Sequence, residues 1–462
     1  MWYDLPGMNA HRRFALLLGW IACLSLAHAQ VMPRQVRLSF GDSPTNSIRI
    51  MWQTDQATDT LVEYGETPAL GSIAYGQQVT YSLQTGILHE ATLTNLQPDT
   101  LYYYRVGDPQ NGFSPIYTFR TAPVYPRPFL FTAFGDHGTR SVSRQNTQNV
   151  INLNPDFHLH LGDLSYANGV QTVWDTYLDQ VEPLTRQIPM MITLGNHEWE
   201  DEVGIGYEAA IARFAMPGEN TYNVNYMFDY GNVRFIAFNS DWYQRANSVV
   251  RNEMQQWLQN RLAEARANPC VRWLIVFQHH PLFGSVARRG YNQFLIDRLQ
   301  PLFDQYKVDL VLQGHDHIYE RTYPLRNSTP VSTATGEYLQ GEGTIYITCG
   351  GGGVGLYTFG TMPPTTAYRE STYCYLVISL QPGGSLTVEA RRVDNSLIEH
   401  FSILPTFNAD LNRDGCVDDN DLLAVLFDFG ATGNCMATDI NGDGFVSDDD
   451  LLLVLFSFGG GC

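Results

Sequence analysis

The pattern of apolar and polar positions changes character along the chain. Up to residue 122 the apolar residues fall in short alternating runs, such as Ile48-Arg49-Ile50-Met51-Trp52 and Leu101-Tyr102-Tyr103-Tyr104-Arg105-Val106, separated by Gly, Pro, Asn and Asp. Period-two runs of this length, bounded by turn residues, predict a small β-sandwich over 30–122. Three prolines in the stretch 121–128 hold the chain extended and mark a boundary. From 123 to 404, continuous apolar runs typical of buried strands alternate with helical stretches such as 249–266, the pattern of an α/β domain. Its final part is β-rich, at 344–349, 373–380 and 386–390. The segment 405–462 carries a duplicated motif that predicts two short helices, at 422–427 and 451–456.

Charge and cysteines refine this outline. The net charge of −19 argues against nucleic acid as a partner. Residues 405–462 hold eleven Asp and a single Arg, so they contribute −10 of it. At the N-terminus His11-Arg12-Arg13 precede an apolar stretch over 14–26, and Ala27-His28-Ala29 is a small-x-small cleavage pattern. The stretch is short for a bilayer span, which needs about 20 residues. A signal peptide over 1–29 and a secreted or surface-associated product are the expectation, with no transmembrane segment in the mature chain. Six cysteines remain after Cys23 is removed, which permits disulfides without choosing their pairing. None lies in a CxxC pair, which argues against a cysteine zinc site.

Five apolar runs in the middle domain each end in a polar cluster. Residues 129–134 lead into Gly135-Asp136, and 157–161 into Gly162-Asp163 with Tyr166 beyond. Residues 191–194 lead into Gly195-Asn196-His197-Glu198, and 273–276 into Phe277-Gln278-His279. Residues 309–312 lead into Gln313-Gly314-His315-Asp316-His317. One Gly-Asp after a strand is ordinarily a turn, and one His there an ordinary polar residue. Five clusters in series, each with a metal-ligating side chain, predict a site at converging strand ends. The donors suit two ions about 3.5–4 Å apart, the separation used for in-line phosphoryl displacement. One carboxylate can bridge such a pair while imidazoles complete the shells.

In this order, Gly-Asp, Gly-Asp-x-x-Tyr, Gly-Asn-His-Glu, Val-x-x-His and Gly-His-x-His resemble the five blocks of the purple acid phosphatases. The resemblance runs from Gln35 through the sandwich, itself similar to a fibronectin type III domain, to about residue 403. It implies an α-β-β-α layered metallophosphoesterase domain. Asp136, Tyr166 and His317 are then expected to hold Fe(III), with Asn196, His279 and His315 on a second divalent metal (Zn, Fe or Mn) and Asp163 bridging. General metallophosphoesterases open with Asp-x-His, whereas Asp136 is followed by His137 and Gly138. Tyr166 supplies the missing ligand, and a ferric phenolate gives the family its colour. The implied activity is hydrolysis of phosphomonoesters by a metal-activated hydroxide. His197 is the candidate catalytic residue, stabilising the phosphoryl group or protonating the leaving oxygen, with orientation of Asn196 as its plainer alternative. Asn196 and His197 are also candidate substrate contacts. Glu198, Glu320 and Arg321 read as supporting structure. Where plant-type relatives place further histidines, this chain runs Pro281 to Arg289. There Arg288 and Arg289 are candidate phosphate grips or solvated loop charges.

The C-terminal repeat has a period of 29: the block from Asp410 to Asp421 aligns with that from Asp439 to Asp450. Each is an EF-hand-like calcium loop with Gly at position 6. Side-chain oxygens come from Asp410, Asn412, Asp414, Asp418 and Asp421, and from Asp439, Asn441, Asp443, Ser447 and Asp450. Backbone carbonyls are expected at Cys416 and Phe445. The module resembles a type I dockerin, which implies a cohesin-like scaffold or cell-surface partner. Its positions 10 and 11, Asp419-Asn420 and Asp448-Asp449, depart from the Ser/Thr pair typical of that recognition.

The leading expectation is a secreted acid phosphatase with a calcium-dependent attachment module. A phosphodiesterase or nucleotide phosphoesterase on the same site is the alternative. A non-catalytic surface-binding protein would be expected to have lost ligands, and all seven positions are filled.

Overall fold

The computed structural model describes residues 31–218, 225–412, 414–433 and 435–462. The expected signal peptide lies outside them. Among the described residues no helix is long and apolar enough to cross a membrane.

The first unit is a β-sandwich. One sheet orders strands Arg34–Phe40, Ile48–Thr54, Ile87–Leu93 and Gln77–Val79; the other is centred on Leu61–Gly65 and Leu101–Asp108. The alternation works as the sequence requires: Tyr102, Tyr104 and Val106 are buried, while Tyr103 and Arg105 are partly exposed. This sandwich shares a core with the α/β unit. Phe40 packs 5.7 Å from Phe157 between ring centroids. Gln35 Nε2 donates to Asp179 Oδ1 at 2.8 Å, and Thr185 Oγ1 donates to Val36 O at 3.0 Å.

That second, α/β unit is two seven-stranded sheets face to face. The first runs Met190–Ile192, Phe157–His160, Phe129–Phe134, Cys374–Leu380, Leu386–Arg392, Leu397–Leu404, Glu337–Leu339. The second runs Tyr226–Tyr230, Val233–Phe238, Trp273–Gln278, Leu310–Gln313, Ile345–Cys349, Tyr319–Thr322, Thr366–Glu370. Aromatic rings fill the space between them, with Phe131 edge-on to Phe235 at 5.1 Å. Helices Ser248–Ala267 and Gln293–Gln305 cover the second sheet. The former starts at Asn247, whose side chain accepts from the N–H groups of Val249 and Val250. Its buried Met254, Leu258, Leu262 and Ala265 recur at helical spacing and meet Ile236, Leu274 and Val276. The strand ends that carry the five clusters are shared between these two sheets, as the layered arrangement expected from the resemblance implies.

The last unit holds helices Asp419–Phe427 and Asp448–Ser457. Its core is small, built from Ala409, Val417, Val425, Ile440, Val446 and Val454. The disulfide Cys416–Cys462 closes it, and Cys270–Cys435 ties it to the α/β unit. Arg272 reinforces that tie, donating to the Asn441 carbonyl at 2.6 Å.

Candidate metal centre

The parallel strands Phe129–Phe134, Phe157–His160 and Met190–Ile192 of the first sheet end on one side. Their counterparts Trp273–Gln278 and Leu310–Gln313 in the second are likewise parallel neighbours. Gly135 N donates to Cys349 O at 2.8 Å, joining the two sheets at that end. The turns beyond these strands deliver all seven expected ligands to one cluster.

On one side of the cluster, Tyr166 Oη lies 3.0 Å from Asp136 Oδ1 and 2.9 Å from His317 Nε2, with His317 Nε2 3.3 Å from Asp136 Oδ1. On the other, His279 Nε2 lies 3.2 Å from Asp163 Oδ2, 3.3 Å from Asn196 Oδ1 and 3.2 Å from His315 Nδ1. Ligand atoms of Asp163, His279 and His315 all fall within 4.8 Å of one another. The remaining imidazole nitrogens are held from behind: His279 Nδ1 on Leu161 O at 2.8 Å, His317 Nδ1 on Gly355 O at 2.6 Å. Fixing the outer nitrogen in this way aims the inner one at a metal.

The backbone is strained at the same places. Asp136, Asp163, Tyr166 and His315 have φ of 59°, 51°, 58° and 68°. Non-glycine residues in this region cost on the order of 1 kcal/mol or more each and persist where the surroundings over-determine them. Here the surroundings include Glu198, which accepts from the N–H groups of Asp163, Leu164 and Gly195 at 2.7–2.8 Å. The glycines leave room: a Cβ at Gly195 would sit 2.2 Å from Asp163 Oδ1, and one at Gly162 2.6 Å from His279 Nδ1.

The electrostatics of the cluster fit a cation. Burial, then Asp136 and Asp163, push the Tyr166 phenol far up. Burial would lower the His279 imidazole, yet Asp163 raises it to about 10. Burial would likewise raise Asp163, and the facing His279 holds it low. Two buried carboxylates thus draw compensating charge from a proton on His279. Buried charge needs a partner or a metal, so the donor set fits a multivalent cation.

His197 sits at the mouth. Its backbone N donates to Asp163 Oδ1 at 2.8 Å, its Nδ1 meets Asn168 Oδ1 at 2.6 Å, and its ring lies 4.1 Å from that of Tyr166. Arg289 differs from the expectation of a free phosphate grip: it donates to Asp316 Oδ1 at 2.9 Å and to the His315 carbonyl at 3.2 Å. It also covers the Tyr357 ring, which stacks on His317 at 4.1 Å. Arg288 is exposed, at the edge of a cavity of about 630 Å³ lined by 284–291 and 360–364. Glu320 is taken up by Ser285 and Thr366, and Arg321 by Glu399. Asn168, Tyr357 and His280, whose ring lies 4.2 Å from that of His315, carry no motif that would mark them from sequence.

The residues expected to form calcium loops also fold together. Asp421 accepts from Asn412 and Asp418 N–H groups, and Asp450 accepts from Asn441 and Ser447, 29 residues on. Asp410 and Asp439 accept from Gly415 and Gly444 at 3.0 and 2.7 Å. Asn412 and Asn441 each donate to the Asp two positions on, Asp414 and Asp443. Cys416 and Phe445 N–H groups donate to those aspartates, and Asp418 and Ser447 cap the helices.

Comparison with known proteins agrees with this geometry. Residues 33–121 match the purple acid phosphatase N-terminal domain, and residues 129–319, which span all seven ligands, match the calcineurin-like phosphoesterase family. Purple acid phosphatase 18 of Arabidopsis thaliana is 32% identical over 70% of this chain and 71% of its own. A second protein of that plant, named "Probable inactive purple acid phosphatase 27", is 30% identical over 72% of this chain and 60% of its own. A solved purple acid phosphatase from yellow lupin seeds superposes with a TM-score of 0.74 at 24% identity, over 81% of this chain and 75% of that one, a likeness of fold. The chain belongs to the purple acid phosphatase family of metallophosphoesterases.

Proposed function

We propose that the chain is an exported acid phosphomonoesterase working through a ferric–divalent pair. Asp136, Tyr166 and His317 would hold the ferric ion, Asn196, His279 and His315 a divalent zinc, iron or manganese, with Asp163 between them. The observation that carries the reading is the convergence of seven donors from five strand ends, with neighbouring ligand atoms 2.9–3.3 Å apart.

When bound, such a pair neutralises phosphate oxygens and acidifies a water into a nucleophile at mildly acid pH. The chain's own residues supply the rest. Glu198 and the glycine turns hold Asp163 in place. Asn168 fixes the His197 ring through Nδ1, which leaves Nε2, 3.9 Å from Asp163 Oδ2, on the open side to pass a proton to the leaving oxygen. Asn196 has its amide nitrogen left to meet a phosphate oxygen, and Arg288 rather than Arg289 is the guanidinium free for substrate. p-Nitrophenyl phosphate turnover tests the reading. Metal-replete protein should cleave it best below pH 7, and His197→Ala should lower kcat. Inert protein with both metals loaded would overturn it in favour of a non-catalytic binding protein.

The cavity beside Arg289 favours a second reading, a phosphodiesterase whose second ester arm lies there. Faster cleavage of bis(p-nitrophenyl) phosphate than of the monoester would select it.

The C-terminal unit is assigned as a dockerin-like, calcium-binding attachment module for a cohesin-like or cell-surface partner. The twofold repeat of loop geometry supports calcium. The equivalent Phe427 and Phe456, both 84% exposed, support a docking face. Calorimetric titration should find two calcium ions per chain, and a stoichiometry of zero would remove the assignment.

A further inference from the structure

Among the described residues Cys349 and Cys374 are the two cysteines outside the disulfides, and both are buried. Cys349 ends the strand Ile345–Cys349 of the second sheet; Cys374 begins Cys374–Leu380 of the first. Their sulfurs lie 3.3 Å apart across the space between the sheets, inside ordinary sulfur–sulfur contact. Between the two residues in sequence runs Gly350-Gly351-Gly352-Gly353, and this turn backs the metal centre. A Cβ at Gly350 would sit 2.8 Å from Asp136 Oδ2, Gly352 N donates to Gly135 O at 3.0 Å, and Val354 N to Asp136 O at 3.2 Å. Cys374 N donates to Gly351 O at 2.9 Å, so its backbone is already fastened to the turn.

We propose that Cys349 and Cys374 form a third disulfide, which joins the two sheets directly behind Asp136 and holds the glycine turn against that ligand. One strand ends and the other begins at the same end of the two-sheet unit, and bond formation needs only a small approach of two side chains. The oxidant is a disulfide-bearing thiol oxidant, of the glutathione disulfide or oxidoreductase kind. The Cys349 thiolate attacks one sulfur of the oxidant and releases one thiol as a mixed disulfide forms. The Cys374 thiolate then attacks Cys349 Sγ and releases the second thiol. Two protein thiols are oxidised by two electrons, the oxidant disulfide is reduced to two thiols, and these take the two protons. Burial raises the Cys349 thiol well above its usual range. Exchange therefore belongs to the folding chain, before the sheets close, and the finished bond is shielded from reductant.

The test is cysteine labelling of the full chain folded with glutathione disulfide and then denatured without reductant. Peptide mass spectrometry should find neither Cys349 nor Cys374 alkylated, with their peptides joined, and both alkylated once reductant is added. Two alkylated residues before reduction would overturn the proposal. A second reading is thermal: the wild-type catalytic transition should lie several degrees above that of Cys349→Ala/Cys374→Ala. Equal midpoints, or a more stable variant, would contradict a closed bond.

Discussion

The candidate metal centre, of mixed nitrogen and oxygen donors, and the C-terminal loops, of oxygen donors alone, both gather groups suited to cations, yet the chain supports them in opposite ways. At the centre, ligands sit on turns fixed by two seven-stranded sheets, and the groups behind them are buried among residues such as Phe134, Leu161 and Leu194. In the C-terminal unit, the core among the described residues has only six buried apolar side chains, and the aspartates spend their oxygens on their own loop's N–H groups. Among the described residues, Asp163, His279 and His315 bring three ligand atoms within 4.8 Å, and no three loop aspartates do so. The first cluster is preformed by the fold, whereas on the proposed calcium reading the second depends on a cation to complete its unit. Metal loss should therefore cost function in one place and structure in the other.

The sharpest way to break that contrast is Asp163→Asn. It should reduce phosphoester turnover by more than the ~10–100-fold typical of residues that only orient a ligand, while circular dichroism and the melting midpoint stay close to wild type. A variant that unfolds instead would show that the centre is no more preformed than the loops. Next, a calcium-selective chelator should expose 405–462 to protease and leave p-nitrophenyl phosphate turnover unchanged. Loss of turnover in step with cleavage would show the two regions to be one cooperative unit.

Acid should distinguish them further. Burial lowers His158 to about 3 in the fold, and the unfolded chain takes up that proton from about pH 6.5 downward. Between these limits the unfolded state binds more protons, so stability falls with pH, by roughly 3 kcal/mol for this imidazole by pH 4. Residues 405–462 contain no histidine. Calorimetry at pH 7 and pH 4 should show this loss in the transition of the α/β unit, and His158→Phe should make it shallower. The smallest effect is expected at the junction. Arg272→Ala removes a guanidinium bonded to the Asn441 carbonyl and stacked 4.4 Å from the Phe407 ring, at a cost of about 1–2 kcal/mol in the C-terminal transition. The Cys270–Cys435 bond should keep the unit attached, so a larger loss would mean that Arg272 supports the calcium loop itself.

The contrast also explains what the sequence discloses. Five of the candidate ligands follow an apolar run within two or three residues, so local pattern exposes Asp136, Asp163, Asn196, His279 and His315. The loop ligands repeat at 29 residues and are equally local. Pairings between distant segments are silent in that pattern. Nothing near Arg289 announces Asp316 as its partner, and Asn168 is invisible as the anchor of His197. The division of the strand ends between two sheets depends on how Cys374–Leu380 returns beside Phe129–Phe134, far along the chain. The four-glycine run after Cys349 is a local sign of close approach, without naming Asp136 as what it approaches.

The measurement that bears most directly on the central claim is the visible absorption spectrum of purified, iron-loaded protein beside that of Tyr166→Phe. A broad visible band in the wild type, absent from the variant while iron content is retained, is the predicted result. A colourless iron-replete wild type, or a band that survives in Tyr166→Phe, would contradict a ferric ion held by this tyrosine.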